Sequence, residues 1–163
     1  MNYLYVGKIV NTHGIKGELR ILSKFKFKDK VFCKNNKIYI GKEKIEEIIN
    51  GYRIHKNFDM ITLEGYDNIN QVLKYKNEKV FINKDELEYD GYLDEDLIGL
   101  KVYADEKYIG TISSVEYIKS SSLIIIKNEK NKNVYVPNNK DFIKSIDVSN
   151  KKVYIKYVEG LIE

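Results

Sequence analysis

Val6–Ile21 reads VGKIVNTHGIKGELRI. Its two flanks, "YVGKIV" and "GELRI", alternate apolar and polar residues with the two-residue period of half-buried strands. Between them fall Thr12, His13 and Gly14, then Lys16 and Gly17. A P-loop requires G-x-x-x-x-G-K-[ST], because the loop amides and the lysine must close together on the phosphates. Here the glycines are Gly7, Gly14 and Gly17, and no Lys-Ser/Thr follows. No helix pattern opens after them, as a dinucleotide loop needs. "GIKG" matches the G-x-x-G of KH domains, but that loop joins two helices and these flanks read as strands. His13 has no partner set for nucleophilic catalysis: Thr12 would point elsewhere on an extended chain, and nothing beside Glu18 positions a substrate. The stretch predicts two strands joined by a tight turn. Gly14 and Gly17 permit the bend, His13 fastens it, and Lys16 and Arg20 offer charge to RNA.

Outward from this hairpin most segments read as strands, rich in Ile, Val, Tyr and Phe. In the first half they are Tyr3–Val10, Gly17–Ser23, Lys37–Ile40, Lys44–Asn50, Phe58–Leu63 and Lys79–Ile82. In the second half they are Lys101–Tyr103, Tyr108–Tyr117, Ser122–Lys127, Asn133–Val136 and Lys152–Tyr157. Polar turn clusters such as "CKNNK" and "KNEKNKN" separate them. Two short helices are expected. "DNINQVLKYK" places Ile69, Val72 and Leu73 on one face, with Asp67 or Asn68 as cap. "NNKDFIKSI" follows Pro137 and offers Phe142, Ile143 and Ile146 for packing. The acidic, glycine-ended run "KDELEYDG" reads as a linker. The expected organisation is a domain over 1–84, a linker over 85–91 and a second domain over 92–163. Many short strands with polar turns give a mainly β class built from small barrels or sandwiches. "YVGKIV" echoes "YIGTIS" at 108–113, as two strands that each take a glycine where a barrel bends.

The chain has 163 residues, 43% hydrophobic and 32% charged, which suits a folded globular protein rather than a disordered one. No apolar run approaches the roughly 20 residues that span a bilayer, and no secretion signal is visible. Cys33 is the only cysteine, so neither a disulfide framework nor a cysteine metal site forms within one chain, and a reducing cytoplasm is expected. His13 and His55 lie too far apart in sequence to suggest a metal pair, and no cofactor is expected.

Net charge is +4, unevenly placed. Residues 1–88 hold 17 Lys and Arg against 12 Asp and Glu; residues 89–163 hold 11 against 12. Residues 16–34 hold seven basic residues and two acids, a patch that could steer the protein to RNA or serve only as a solvated face. "SKFKFKDK" (23–30) would, as a strand, align Lys24, Lys26 and Lys28 on one face and Phe25 and Phe27 on the other. It reads either as a basic strip with stacking aromatics or, preferably, as an amphipathic strand or loop that packs its phenylalanines inward. In "EYDGYLDEDLIG", Tyr89 and Tyr92 lie among acids. They could dock a basic partner protein or pack between two domains.

Four stretches in this order resemble the RimM family of ribosome maturation factors over nearly the whole chain: "VGKIVNTHGIKGELRI", "ITLEGYDNINQVLKYKNEKVFI" (61–82), "DLIGLKVYADEKYIGTISSV" (96–115) and "VYVPNNKDFIKSIDVSNKKVYIKYVEGLIE" (134–163). Gly7, His13, Gly14, Gly17 and Glu18 match the first signature. Asp96, Leu97 and Gly99 match the start of the second domain, and Pro137 and Gly160–Leu161 match the tail. The resemblance implies a six-stranded, translation-factor-like N-terminal β-barrel, a C-terminal PRC barrel and no enzyme activity. It implies binding to the immature small (30S) ribosomal subunit, its 16S rRNA and a ribosomal protein of the head, number nineteen of the small subunit. It implies a role in 16S rRNA processing and head assembly.

Where the family usually shows two adjacent aromatics before "DLIG", this chain reads Tyr92, Leu93, Asp94, with Tyr89 nearby. Contact to the ribosomal protein is therefore expected at Tyr89, Tyr92, Leu93 and Asp96. Contact to RNA is expected at Lys16, Arg20, Lys24, Lys26 and Lys28. A monomer, with no membrane partner, is expected. Two other readings are a generic PRC-barrel interaction module without rRNA binding, and an RNA-directed enzyme using His13 and Glu18.

Overall fold

The structure is a computed structural model, and it describes residues 1–118 and 121–156. The tail match at Gly160–Leu161 lies outside the described residues. The chain divides into two compact units, with the division between Asp90 and Gly91.

The first unit is a closed barrel of six strands: β1 (Tyr3–His13), β2 (Glu18–Leu22), β3 (Lys37–Ile40), β4 (Ile45–His55), β5 (Phe58–Leu63) and β6 (Lys79–Asn83). Their order around the barrel is β1-β2-β5-β4-β3-β6, and every pairing is antiparallel. Closure depends on β1. Its first half pairs with β6, Tyr3 opposite Asn83, and its second half with β2, His13 opposite Glu18. Register shifts between Tyr5 and Gly7, and between Ile9 and Asn11, bend the strand from one neighbour to the other. β1 runs on past the expected Val10 because the polar "NTH" still pairs with "ELR". Leu19, Ile21, Ile38, Ile61 and Val80 fill the interior, each fully buried.

Helix α1 (Lys28–Val31) and Phe32 follow β2, and Val31 and Phe32 join that core. Helix α2 (Ile69–Val72), continued by a 3-10 turn at Leu73–Tyr75, forms where the sequence predicts it. Asn68 caps it: its side chain accepts from the Asn70 N–H at 2.8 Å, while the Gln71 amide oxygen accepts from the Asn68 N–H at 3.1 Å.

The second unit is a six-stranded sheet ordered β10-β9-β8-β7-β12-β11. Its strands are β7 (Lys101–Ala104), β8 (Lys107–Ile118), β9 (Ser121–Lys127), β10 (Asn133–Pro137), β11 (Ile143–Asp147) and β12 (Lys152–Ile155). Only β12 and β7 pair in parallel. Helix α3 (Asp94–Leu97) precedes the sheet, and Leu97 and Leu100 enter a core with Val102, Ile112, Ile126 and Val153. The glycine in "YIGTIS" marks a close approach. A Cβ on Gly110 would lie 2.4 Å from the Lys127 carbonyl oxygen across the β8–β9 pair. Together the units are the mainly β, two-domain class read from the sequence.

Two expectations change. The helix predicted after Pro137 is instead a turn leading into β11. The Asn139 side chain accepts from the Asp141 N–H at 2.9 Å, and its carbonyl takes the Ile143 N–H at 2.8 Å. This spends one helical turn before the chain extends against β12. Phe142, Ile143 and Ile146 still pack on the second core, from a turn and a strand rather than a helix. The strand expected over 23–30 also does not form. The Ser23 hydroxyl donates to the Val6 carbonyl at 2.5 Å and accepts from the Phe25 N–H at 3.2 Å. That local alternative to the ladder turns the chain into α1. Residues 84–91 carry a 3-10 turn, Lys84–Glu86, and Leu87 packs against the first core.

Candidate nucleic-acid interface

Only two of the 28 basic residues are arginines, Arg20 and Arg53, and the chain has only two histidines, His13 and His55. The barrel brings all four together. Arg20 on β2 and Arg53 on β4 both stand opposite Met60 of β5. Their neighbours Leu19 and Ile61 are turned inward, so Arg20, Met60 and Arg53 share the outer face. His13 ends β1 opposite Glu18, and His55 ends β4 opposite Phe58.

The side chains interlock. Arg20 Nη2 lies 2.9 Å from His13 Nδ1, a bond in which the guanidinium donates to the ring nitrogen. The Arg20 Cζ sits 5.1 Å from the centre of the Phe58 ring. The His13 and His55 rings are 5.4 Å apart. Arg53 donates through Nε to Glu18 Oε2 at 2.8 Å and through Nη2 to Oε1 at 2.7 Å. Arg20 Nε is buried and has no hydrogen-bond partner among the described residues.

Cations outnumber anions here. Arg53, Lys56 and Arg20 all act on His55, and Arg53 holds one carboxylate, Glu18. Desolvation, then the charges of Arg53, His13, Lys56 and Arg20, push the His55 ring below its ordinary value. The Arg53 hydrogen bonds hold Glu18 below the usual carboxylate range, against a smaller opposing effect of burial.

Beside this cluster lies an open groove of about 590 Å³, lined by Phe25, Lys26, Lys28, Tyr52, Lys56 and Phe58 among others. At its floor is Asp59, 2% exposed. The Tyr52 hydroxyl donates to Asp59 Oδ1 at 2.6 Å, and Lys28 Nζ lies 2.9 Å from Oδ2. Desolvation and this bond push the Tyr52 phenol up to about 12.

Of the residues expected to meet RNA, Arg20 lies in the cluster, and Lys26 and Lys28 line the groove. Lys28 is committed to Asp59, and Lys26 lies 5.4 Å over the Phe27 ring. Lys16 and Lys24 are exposed outside both features. With no strand over 23–30, Lys24, Lys26 and Lys28 do not share a face. The sequence pattern does not point to Arg53, Lys56 or Phe58, and it points to His55 only as half of a rejected metal pair. The available signal was compositional: both arginines and both histidines fall in two short runs, "THGIKGELR" and "RIH".

The residues expected to meet a protein partner are placed as follows. Tyr89 is half-buried, its ring 4.9 Å from Phe27. Tyr92 is half-buried against the second core, and its hydroxyl accepts from Asn138 Nδ2 at 3.5 Å. Leu93 is buried. Asp96 Oδ2 accepts from the Leu93 N–H at 2.8 Å, which fixes the start of α3. Among the signature residues, Gly14 and Gly17 have φ of +76° and +89° in the β1–β2 turn, and a Cβ on Gly17 would lie 3.1 Å from the Asn68 carbonyl. Gly7 lies at the β1 bend. Gly99, at φ +89°, donates its N–H to the Ile112 carbonyl at 2.8 Å, and Pro137 closes β10 opposite Leu123.

Among the described residues, no helix is long and apolar enough to cross a membrane, and no group of three or more His, Cys, Asp or Glu could hold a metal ion.

Residues 4–87 match the family model of the RimM N-terminal domain, and residues 94–161 that of the RimM PRC barrel domain. The ribosome maturation factor RimM of Ligilactobacillus salivarius is 41% identical over 168 residues, covering 99% of each chain. That of Exiguobacterium sp. is 34% identical over 170 residues, covering 100% of this chain and 98% of the relative. That of Bacillus thuringiensis is 36% identical over 165 residues, 96% of each. Two matched domains and full-length relatives above 30% identity place this chain in the RimM family of ribosome maturation factors.

Proposed function

We propose that the protein is a non-enzymatic assembly factor of the small ribosomal subunit. It binds the immature 30S particle through 16S rRNA and a head ribosomal protein, number nineteen of the small subunit, and so supports head assembly and 16S rRNA processing. The observation that carries this reading is the gathering of both arginines and both histidines on one barrel face, beside a groove with Lys26, Lys28 and Lys56. An excess of cations next to exposed aromatic edges suits a nucleic-acid backbone. The names of the full-length relatives point the same way.

Binding needs no covalent step: favouring one rRNA or protein conformer shifts assembly towards it. The acid–base reading of His13 and Glu18 loses support, because His13 Nδ1 already meets Arg20 and both Glu18 oxygens meet Arg53. On the second domain, proposed to span residues 92–163, Tyr92, Leu93 and Asp96 are the proposed contacts to a basic ribosomal protein; Asp96 accepts from the Leu93 N–H at the start of α3, and Leu93 itself is buried. Tyr89 contributes from the linker proposed at 85–91, and the first domain spans 1–84. The protein acts as a cytoplasmic monomer.

Sedimentation with precursor and mature small subunits tests this. Co-migration with precursor subunits at moderate salt is expected. Its absence, or equal capture of a non-ribosomal complex, overturns the reading.

A further inference from the structure

We propose that Arg20, Arg53, His13 and His55 form a seat for one phosphodiester group of single-stranded rRNA, and that Glu18 occupies part of that seat in the free protein. This rests on the rRNA-binding reading above and assigns its anchoring point.

Three observations carry it. First, this chain uses lysine almost everywhere it needs a cation, yet both of its arginines stand over Met60 on the outer barrel face. A guanidinium offers a planar fork that grips two phosphate oxygens, which an ammonium does not. Second, the cationic groups are packed together: Arg20 Nη2 bonds His13 Nδ1, the two histidine rings lie 5.4 Å apart, and the buried Arg20 Nε has no hydrogen-bond partner among the described residues. Third, Arg53 already holds an anion, Glu18, in the two-pronged geometry that a phosphate would adopt. A phosphate arriving here takes over the Arg53 fork, and Glu18 swings into water. From the seat the strand continues into the groove past Phe58 and Lys56, where a base can stack and the next phosphate meets an ammonium.

The competition gives a test whose sign separates a binding seat from a structural salt bridge. The full chain, Glu18→Gln and Arg53→Gln are titrated with protein-free precursor 16S rRNA across a salt series, and each is sedimented with precursor subunits. Glu18→Gln removes the competitor, so rRNA binding tightens about three-fold. Arg53→Gln weakens it about ten-fold at 0.1 M salt and makes the log–log salt slope shallower by about 0.7, one single-strand phosphate contact. Arg53→Lys recovers the slope but not the full affinity. Unchanged or weaker binding in Glu18→Gln overturns the seat, as does an unchanged slope in Arg53→Gln. If Arg53→Gln fails to fold, Glu18→Gln still decides. Inorganic phosphate alone is a further arm: saturation at millimolar phosphate without any rRNA affinity assigns the site to a free anion and overturns the proposal. Wild-type protein that sediments with precursor subunits while the variants bind rRNA equally removes the seat and leaves the assembly reading standing. Wild-type protein that does not sediment removes that reading itself.

Discussion

Arg53 grips both carboxylate oxygens of Glu18, Nε on Oε2 at 2.8 Å and Nη2 on Oε1 at 2.7 Å, across the outer face of β5. The contact joins β2 to β4, which do not themselves pair. Its side chains are 49% and 16% exposed, so its weight in stability is small. Its pH dependence is distinctive. The folded Glu18 lies below its ordinary 4.5, so its contribution is complete above pH 4.5 and fades as pH falls through the lower folded value. Urea melts of wild type and Arg53→Gln should differ at neutral pH and converge as the pH falls through the lowered folded value of Glu18. A gap that persists once the Glu18 carboxyl is protonated in the folded protein would show that the contact is not what separates them.

His55 provides a second reading of the same field. Burial, Arg53, His13, Lys56 and Arg20 all favour its neutral ring. Its ring proton, followed by NMR, should titrate below 6.5. Because Arg53 exerts the largest of these charge effects, Arg53→Gln should move the midpoint up towards 6.5 without passing it. Since an unfolded His55 takes its proton at higher pH than the folded one, the ring costs stability as pH falls through 6.5. A bound phosphodiester reverses that sign and draws the midpoint up.

The barrel was largely legible because its signal is local. The alternation in Lys37–Ile40 and Phe58–Leu63 marks β3 and β5 to the residue. The misses share one cause. At Ser23 and at Asn139 a short side chain offers the backbone a bond that competes with the expected element, and pattern alone does not weigh that competition. The candidate site was half visible. Arg20 stands in the signature, but Arg53 and His55 reach it only through the register of β2, β5 and β4. That register is set by closure of the barrel, which no window of sequence contains. The segment Tyr89–Asp96 carries the proposed protein contact, and internal bonds already engage Tyr92 and Asp96.

Each compact unit has its own apolar cluster, and among the described residues no buried side chain belongs to both. Truncating one core should therefore be felt in one unit. Leu97→Ala and Ile61→Ala each remove a fully buried side chain, at a cost of about 2–5 kcal/mol. In Leu97→Ala, amide exchange should accelerate through β7–β10 while β2 and β5 stay protected. Ile61→Ala should do the reverse and also disturb His55, which lies on the strand beside it. Uniform acceleration across both units in either variant would show that they unfold as one.

Gly110 and Gly14 make a contrast that separates crowding from backbone strain. Gly110 has no space for a side chain: its Cβ would lie 2.4 Å from the Lys127 carbonyl oxygen and 2.8 Å from Ile126 Cγ2. The oxygen belongs to the neighbouring strand, so relief requires β8 and β9 to part. Gly110→Ala should cost about 3 kcal/mol or more. Gly14 has open space around it but a φ of +76°. Gly14→Ala should cost about 1–2 kcal/mol, the ordinary penalty for the left-handed region. Asparagine decides between the mechanisms, because it tolerates that region but is bulkier than alanine. Gly14→Asn should recover much of the alanine loss, whereas Gly110→Asn should be worse than Gly110→Ala. Thermal melts of the four variants give the order directly, and recovery at position 110 would mean that the β8–β9 approach is looser than 2.4 Å implies.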